Sequence, residues 1–259
     1  MTIKLEKIKE ERKKNKLMFL LKNSDEVFAN TIRRMVIEEV PTLAVEDLEI
    51  KENSSALYDE MLGLRLGLCP IKTDLKSYNL KEKCKCEGEG CAQCELKITL
   101  KASKKGYVYA GEAQSTDPKC TFVFEKMPLT KLLSKQKVDI TMTAILGQGK
   151  EHAKWSSGLA FFRKEPIVKI GKVNVELLKT SCTDGVFEIK GSSVKLNQDN
   201  VYESNLLEYY AELDQGISLD YSDNLVFTLE SWGQLTPKEI LTKSAEILIE
   251  KAEEMEKFL

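Results

Sequence analysis

Cys84-Lys-Cys-Glu-Gly-Glu-Gly-Cys-Ala-Gln-Cys94 gathers four of the seven cysteines of this 259-residue chain into eleven residues, at the spacing C-x-C-x4-C-x2-C. The chemistry that this pattern offers is metal binding. A C-x-x-C turn lets two thiolates converge on one cation, and Gly88 and Gly90 let the chain double back to bring the other pair opposite. Cys84, Cys86, Cys91 and Cys94 together would fill a tetrahedron. That leaves no open position for a water, so the expectation is one structural Zn2+ per chain. Reduced, unligated thiols and an iron–sulfur cluster remain alternatives, because spacing alone does not separate zinc from a cluster held by four cysteines.

No other residues assemble into a reaction. His152 is the only histidine, and no serine or cysteine nucleophile motif surrounds it. A hydrogen-bonding role in a loop or interface is expected for it rather than general-base work. Gly147-Gln-Gly follows a strand-like run but lacks the third glycine and the helix start of a dinucleotide fingerprint, and there is no phosphate-binding loop. Two-metal nucleotidyl transfer needs a tight carboxylate cluster, which is missing as well. Arg33 and Arg34 sit side by side within a helical pattern, where solvated surface charge competes with a contact to another protein. Trp155 and Trp232 read as core or interface anchors rather than base-stacking platforms.

These residues must be carried by mixed elements. Residues 2–9 and 15–22 read as a hairpin around the charged loop Lys9–Lys14. A helix over 25–40 is expected to start at Ser24 or Asp25 and to stop at Pro41. Its apolar face would be Val27, Phe28, Thr31, Ile32, Met35, Val36 and Val40. Strands are expected near 43–51, 96–102, 107–111, 121–124, 137–146, 158–163 and 224–231, with a short helical turn at 129–133. A helix over 56–68 would show Ala56, Leu57, Met61, Leu64 and Leu68 on one side. A further helix is expected within 199–213. Thr236-Pro-Lys-Glu239 spells a capping box with proline at the first helical position. The helix that follows carries Ile240, Leu241, Ala245, Leu248, Ala252, Met255 and Leu259 on one side. Hairpins and helices without strict alternation point to an α+β fold.

Composition narrows the class. Apolar residues make up 42% of the chain, enough for a packed core. Lys+Arg number 39 against 41 Asp+Glu, for a net charge of −2, which argues against a protein whose main task is gripping duplex DNA. No run approaches the ~18 apolar residues of a membrane helix. The first residues, Met1 to Lys7, lack a signal peptide's apolar stretch, so a soluble, cytoplasmic protein without membrane contact is expected.

Four segments, in order, carry a resemblance. They are 28–50, Ser55-Ala-Leu-Tyr-Asp-Glu-Met-Leu-Gly-Leu-Arg-Leu-Gly-Leu-Cys-Pro-Ile71, Gly147-Gln-Gly-Lys-Glu-His-Ala-Lys-Trp155, and Glu230-Ser-Trp-Gly233 with the helix after it. Together they resemble the alpha-like assembly subunits of cellular RNA polymerases. That family includes the bacterial alpha amino-terminal domain, the larger alpha-like subunit of archaeal polymerases and the third-largest subunit of eukaryotic polymerase II. The resemblance implies a dimerisation domain, a sheet plus two long helices, formed by 1–45 and 216–259 with 156–165. It implies an inserted mainly-β domain at 46–155 bearing the cysteine-rich loop 81–95, and a small ferredoxin-like insert at 166–215. Eukaryotic members carry a similar zinc loop at this place. In several archaeal members the third domain holds iron–sulfur clusters. Here Cys182 is the only cysteine after position 120, and Tyr202, Ser204, Asn205 and Leu206 stand where other ligands would fall, so no cluster is expected in 166–215.

The function implied is non-catalytic: an assembly subunit of the polymerase that transcribes DNA into RNA, a nucleotidyltransferase complex whose active site lies in another chain. The small-subunit interface would include Phe28, Ile32, Met35, Ile240, Leu241, Leu248 and Met255, pairing with the small alpha-like subunit of the polymerase in a heterodimer. Arg33, Arg34, Lys150, His152 and Lys154 would face a large catalytic subunit. DNA and RNA would be met only through the assembled complex. The third-domain remnant and the short length favour the archaeal branch. The rival is a free-standing zinc-stabilised adaptor that binds protein or nucleic acid.

Overall fold

The computed structural model describes residues 2–191 and 193–258. Met1, where the expected first domain begins, and Leu259, the last residue of the expected C-terminal apolar face, lie outside the described residues. In chain order the elements are β1 (Lys4–Glu11), β2 (Lys16–Lys22), α1 (Glu26–Arg34), β3 (Thr42–Asn53), α2 (Asp59–Leu68), β4 (Glu95–Ala102), β5 (Gly106–Tyr109), β6 (Gln114–Ser115) and β7 (Pro128–Leu132). There follow β8 (Val138–Gly147), β9 (Gly158–Ile170), α3 (Val175–Ser181), β10 (Phe187–Lys190), β11 (Ser193–Leu196), α4 (Gln198–Glu203), α5 (Leu207–Leu213), β12 (Ile217–Ser231) and α6 (Pro237–Glu256). The mixture of antiparallel sheets and helices is the α+β class expected from the sequence.

Two compact units emerge, residues 1–31 with 161–229, and residues 32–160 with 230–259. In the first, a four-stranded sheet runs β1-β2-β12-β9. Its strands come from both ends of the unit's sequence, and Phe227 ties them together: it stacks on Phe19 with ring centroids at 5.0 Å and on Phe162 at 6.3 Å. Between β9 and β12 the chain forms α3, the β10–β11 hairpin, α4 and α5 around Leu178, Val186, Phe187, Val201, Leu207 and Tyr210. The expected single helix over 199–213 is broken at Ser204–Leu206. One local and one distant contact hold the break: Ser204 Oγ accepts the Leu206 N–H at 3.0 Å, and Arg163, on β9, reaches in to bind carbonyls at the end of α4. Its guanidinium donates to Ser204 O at 2.8 Å, to Val201 O at 3.4 Å and to Tyr202 O. A cation suits the negative end of a helix.

In the second unit, sheet β3-β8-β4-β6 and the smaller sheet β5–β7 enclose one core with α2. The largest fully buried side chains there are aliphatic, among them Leu43, Leu62, Leu66, Ile98, Leu100 and Leu132. Several expectations change. Residues 128–132 are strand β7, paired with β5, and not a helical turn; a short apolar run has no period that separates the two states. Residues 121–124 contribute only a bridge, Ile71 to Phe122. Helix α2 buries Leu62 and Leu66, whereas Met61, Leu64 and Leu68 are exposed. Helix α6 buries Ile240, Ser244 and Ile247, so the inward face is rotated from the one read from the sequence, and Leu241 and Leu248 lie at its margin. The capping box is as spelled: Glu239 N–H donates to Thr236 Oγ1 at 3.3 Å and Thr236 N–H to the Glu239 carboxylate at 2.8 Å.

Helix α1 begins at Asp25, whose carboxylate accepts the Phe28 N–H at 2.8 Å. The α-helix ends at Arg34, not Val40, and one π turn, Met35–Glu39, completes it. Val27 is exposed, at odds with the expected face.

Candidate metal centre and interface residues

The cysteine loop is braced before it is closed. Asn79 N–H donates to Gln93 O at 2.8 Å, which brings the two ends of the loop together. Glu95, at the start of β4, pairs with Lys81 at 2.9 Å and Lys97 at 3.5 Å. Gly88 and Gly90 have φ of 87° and 101°, and a Cβ on Gly90 would lie 2.8 Å from the Glu95 carboxylate. Glycine is therefore required where the chain reverses.

The reversal brings all four sulfurs together, within 4.8 Å of one another. Sγ–Sγ distances are 3.4 Å for Cys84–Cys86, 3.5 Å for Cys86–Cys94, 3.6 Å for Cys84–Cys91 and 3.7 Å for Cys91–Cys94. A tetrahedron of metal–sulfur bonds of ~2.3 Å has edges of ~3.8 Å. These four edges are close to that value, and a set this compact suits one ion, with no space among the sulfurs for several irons and sulfides. Backbone N–H groups point at the sulfurs: Cys91 N–H to Cys94 Sγ at 3.2 Å and Gln93 N–H to Cys91 Sγ at 3.4 Å. A backbone hydrogen bond from Gly90, seconded by Cys84, pulls the Cys86 thiol down to about 6. Burial pushes Cys94 up to about 12. A cation among the sulfurs would remove the remaining protons, because coordinated thiols are deprotonated. Cys182 stands apart from this group, and burial raises its thiol as well.

The loop 147–155 is built around the π turn. A Cβ on Gly149 would lie 2.0 Å from Ile37 O, and one on Gly147 would lie 2.4 Å from the Trp155 ring. Lys150 N–H donates to Glu38 O at 3.0 Å. His152 Nδ1 accepts the Lys154 N–H at 3.0 Å and so caps the turn at 153–155. Lys154 lies 4.4 Å above the Trp155 ring and its amine pairs with Glu46.

The π turn also places a carboxylate that the sequence reading passed over. Glu39 is buried, at 8% exposure. It pairs with Lys251 at 2.6 Å and Lys150 at 3.4 Å, and Gln148 Nε2 donates to it at 3.3 Å. Burial pushes its carboxyl up, but the hydrogen bond and charge of Lys251, with Lys150, more than offset this, and the group is held below the ordinary range. The signal was its position: three residues after Val36 and one before Val40, in line with the inward face.

Of the other site residues, Arg34 is exposed and bridges to Glu38 at 3.1 Å, while Arg33 is half-buried. Phe28, Ile32 and Met35 are half-buried. Ile240 is fully buried, and Met255 is 70% exposed. Among the described residues no helix is long and apolar enough to cross a membrane.

Residues 18–252 match the family model described as the RNA polymerase Rpb3/Rpb11 dimerisation domain. The chain is similar to the DNA-directed RNA polymerase subunit Rpo3 of Methanosarcina acetivorans, 34% identical over 244 residues, covering 92% of this chain and 91% of the relative. It is 34% identical to Rpo3 of Archaeoglobus fulgidus over 261 residues, covering 96% of each chain. Rpo3 of Pyrococcus furiosus is 30% identical over 250 residues, covering 94% of this chain and 92% of the relative.

Proposed function

The chain belongs to the RNA polymerase Rpb3/Rpb11 dimerisation-domain family, and from that premise we propose that it is the larger alpha-like assembly subunit of an archaeal DNA-directed RNA polymerase, acting in the cytoplasm. The polymerase complex is a nucleotidyltransferase; this chain supplies shape and not chemistry. It pairs with the small alpha-like subunit, and the heterodimer forms the platform for the large catalytic subunits. The dimerisation domain is made of 1–45, 156–165 and 216–259, with 46–155 and the ferredoxin-like 166–215 as its inserts. One Zn2+ in the Cys84, Cys86, Cys91 and Cys94 site fixes the loop 81–95, and no iron–sulfur cluster occupies 166–215.

The observation that carries this reading is the apolar surface that α6 leaves uncovered. While Ile240 and Ile247 turn inward, Leu241 and Leu248 lie at the margin and Ile249 and Met255 are exposed. With Phe28, Ile32 and Met35 of the first helix, they form the small-subunit contacts, and Ile240 anchors α6 from behind. Arg33, Arg34, Lys150 and His152 meet a large subunit, with Lys154 holding their loop.

Co-expression with an archaeal small alpha-like subunit tests the reading. A stable one-to-one complex is expected, and Leu248→Asp is expected to release the partner while leaving the thermal unfolding of the chain unchanged. A well-behaved monomer that ignores the small subunit would favour the free-standing adaptor instead.

A further inference from the structure

The outer face of the β5–β7 sheet departs from the rest of the chain in charge. Residues 101–111 hold three lysines and residues 126–137 hold four, and neither segment contains an aspartate or glutamate. The whole chain, by contrast, has a net charge of −2. Lys101 is paired, to Asp139 at 3.2 Å. Lys104, Lys105, Lys131, Lys135 and Lys137 are exposed, and among the described residues none of the five has a carboxylate partner.

Within this basic field stand two aromatic rings. Val108 points inward and is 1% exposed, so its neighbours Tyr107 and Tyr109 point out, at 56% and 38% exposure. Their ring centroids are 6.1 Å apart. The register sets Lys131 directly across from Tyr107, and its amine lies 5.2 Å from the ring centroid. Glu112 is turned to the backbone, where it accepts the Tyr109 N–H at 2.8 Å. Tyr109 is thereby held on the strand.

Exposed rings side by side, edged by unpaired lysines, are the two parts of a platform for single-stranded nucleic acid: bases stack on the rings and phosphates meet the amines. Bases inside a duplex are already stacked on one another and cannot use the rings. We propose that the β5–β7 face binds single-stranded RNA. The choice of RNA rests on the polymerase reading, because RNA is the single strand that such an enzyme releases in length.

The probe is a fluorescent RNA single strand of about 16 nucleotides, the upper end of site sizes for one such platform. It is titrated by anisotropy into the full chain co-expressed with its small partner. Tyr107→Ala and Tyr109→Ala are each expected to weaken binding by about 5- to 100-fold, whereas Tyr107→Phe binds as the parent does. Unchanged melting temperatures show that the variants are folded. Lys104→Gln with Lys105→Gln is expected to reduce the slope of log affinity against log salt by about 1.4. Equal binding of duplex DNA, or alanine variants that bind like the parent, overturns the proposal. So does displacement by a poly-glutamate peptide of equal charge as effectively as by RNA, which would make the face a protein-docking surface. In the assembled, transcribing polymerase, thiouridine-labelled transcript is expected to crosslink to this chain in a Tyr107-dependent manner. Crosslinks only from the displaced DNA strand would overturn the assignment to RNA. A chain absent from the purified polymerase would instead overturn the polymerase reading itself.

Discussion

At the scale of residues, four sulfurs are held within 4.8 Å of one another by glycines and backbone N–H groups on a loop braced at its base. A metal held by all four sulfurs would tie the two halves of that loop together, so the zinc proposed for it would contribute to its order. Replacing Cys91 and Cys94 by serine is expected to abolish stoichiometric zinc in the purified protein. Hydrogen exchange should then rise over 81–95 and stay unchanged in β3 and β8. Metal analysis that finds no zinc in the parent, or a visible iron–sulfur absorption band, would refute the assignment. This site was legible in the sequence because its ligands lie within eleven residues and their spacing has a geometric meaning. Glu39 was not: its partner Lys251 is 212 positions away, and no local pattern announces a pair that only tertiary folding creates.

At the scale of elements, that pair joins the π turn to α6. An unfolded glutamate titrates near 4.3, and the folded Glu39 titrates lower. The contribution of the pair is therefore complete above the unfolded value and is lost as pH falls through the folded one. Glu39→Gln is expected to cost about 1–3 kcal/mol at neutral pH, between exposed and buried pairs, since both lysines are partly exposed. The loss should shrink toward zero in acid, as followed by urea unfolding across pH 2–7; a loss that persists unchanged at the acid end would assign the effect to packing. Elements whose ends are written locally, such as α6 with its capping box and α1 with Asp25, were readable from the sequence. Helix α2 was not, because it has apolar residues on two sides. Only the sheet beneath decides that Leu62 and Leu66 turn inward while Met61, Leu64 and Leu68 stay outside. Strand β7 was misread for a related reason: its pairing with β5 lies outside its own sequence.

At the scale of the whole molecule, the function proposed is to hold others, so the informative variants are those that spare the fold. Arg33 and Arg34 are adjacent, hence ~100° apart around a helix. Arg34 is exposed and pairs with Glu38, one turn along. Such a surface pair contributes little to stability. Arg33→Ala with Arg34→Ala is expected to leave folding and small-subunit pairing intact while weakening large-subunit docking by about 2–5 kcal/mol. Reconstitution from separate subunits at limiting concentration, read by gel filtration, would show incomplete assembly. Full assembly would return the arginines to the role of solvated charge, and failure already at the heterodimer would place them in the other interface.

The strand order β1-β2-β12-β9 also bears on how the chain is made. β2 ends at Lys22 and its neighbour β12 begins at Ile217. A ribosome adding ~5–20 residues per second needs roughly 10–40 s to cover that interval. Throughout it, Met18, Phe19, Leu20 and Leu21, all buried in the finished protein, have β1 on one side of their strand but no β12 on the other. The β3-β8-β4 core lies wholly between Thr42 and Gly147 and can close well before that. Synthesis thus orders folding from the middle outward, and the nascent N-terminal hairpin is the segment that a chaperone would be called on to shield.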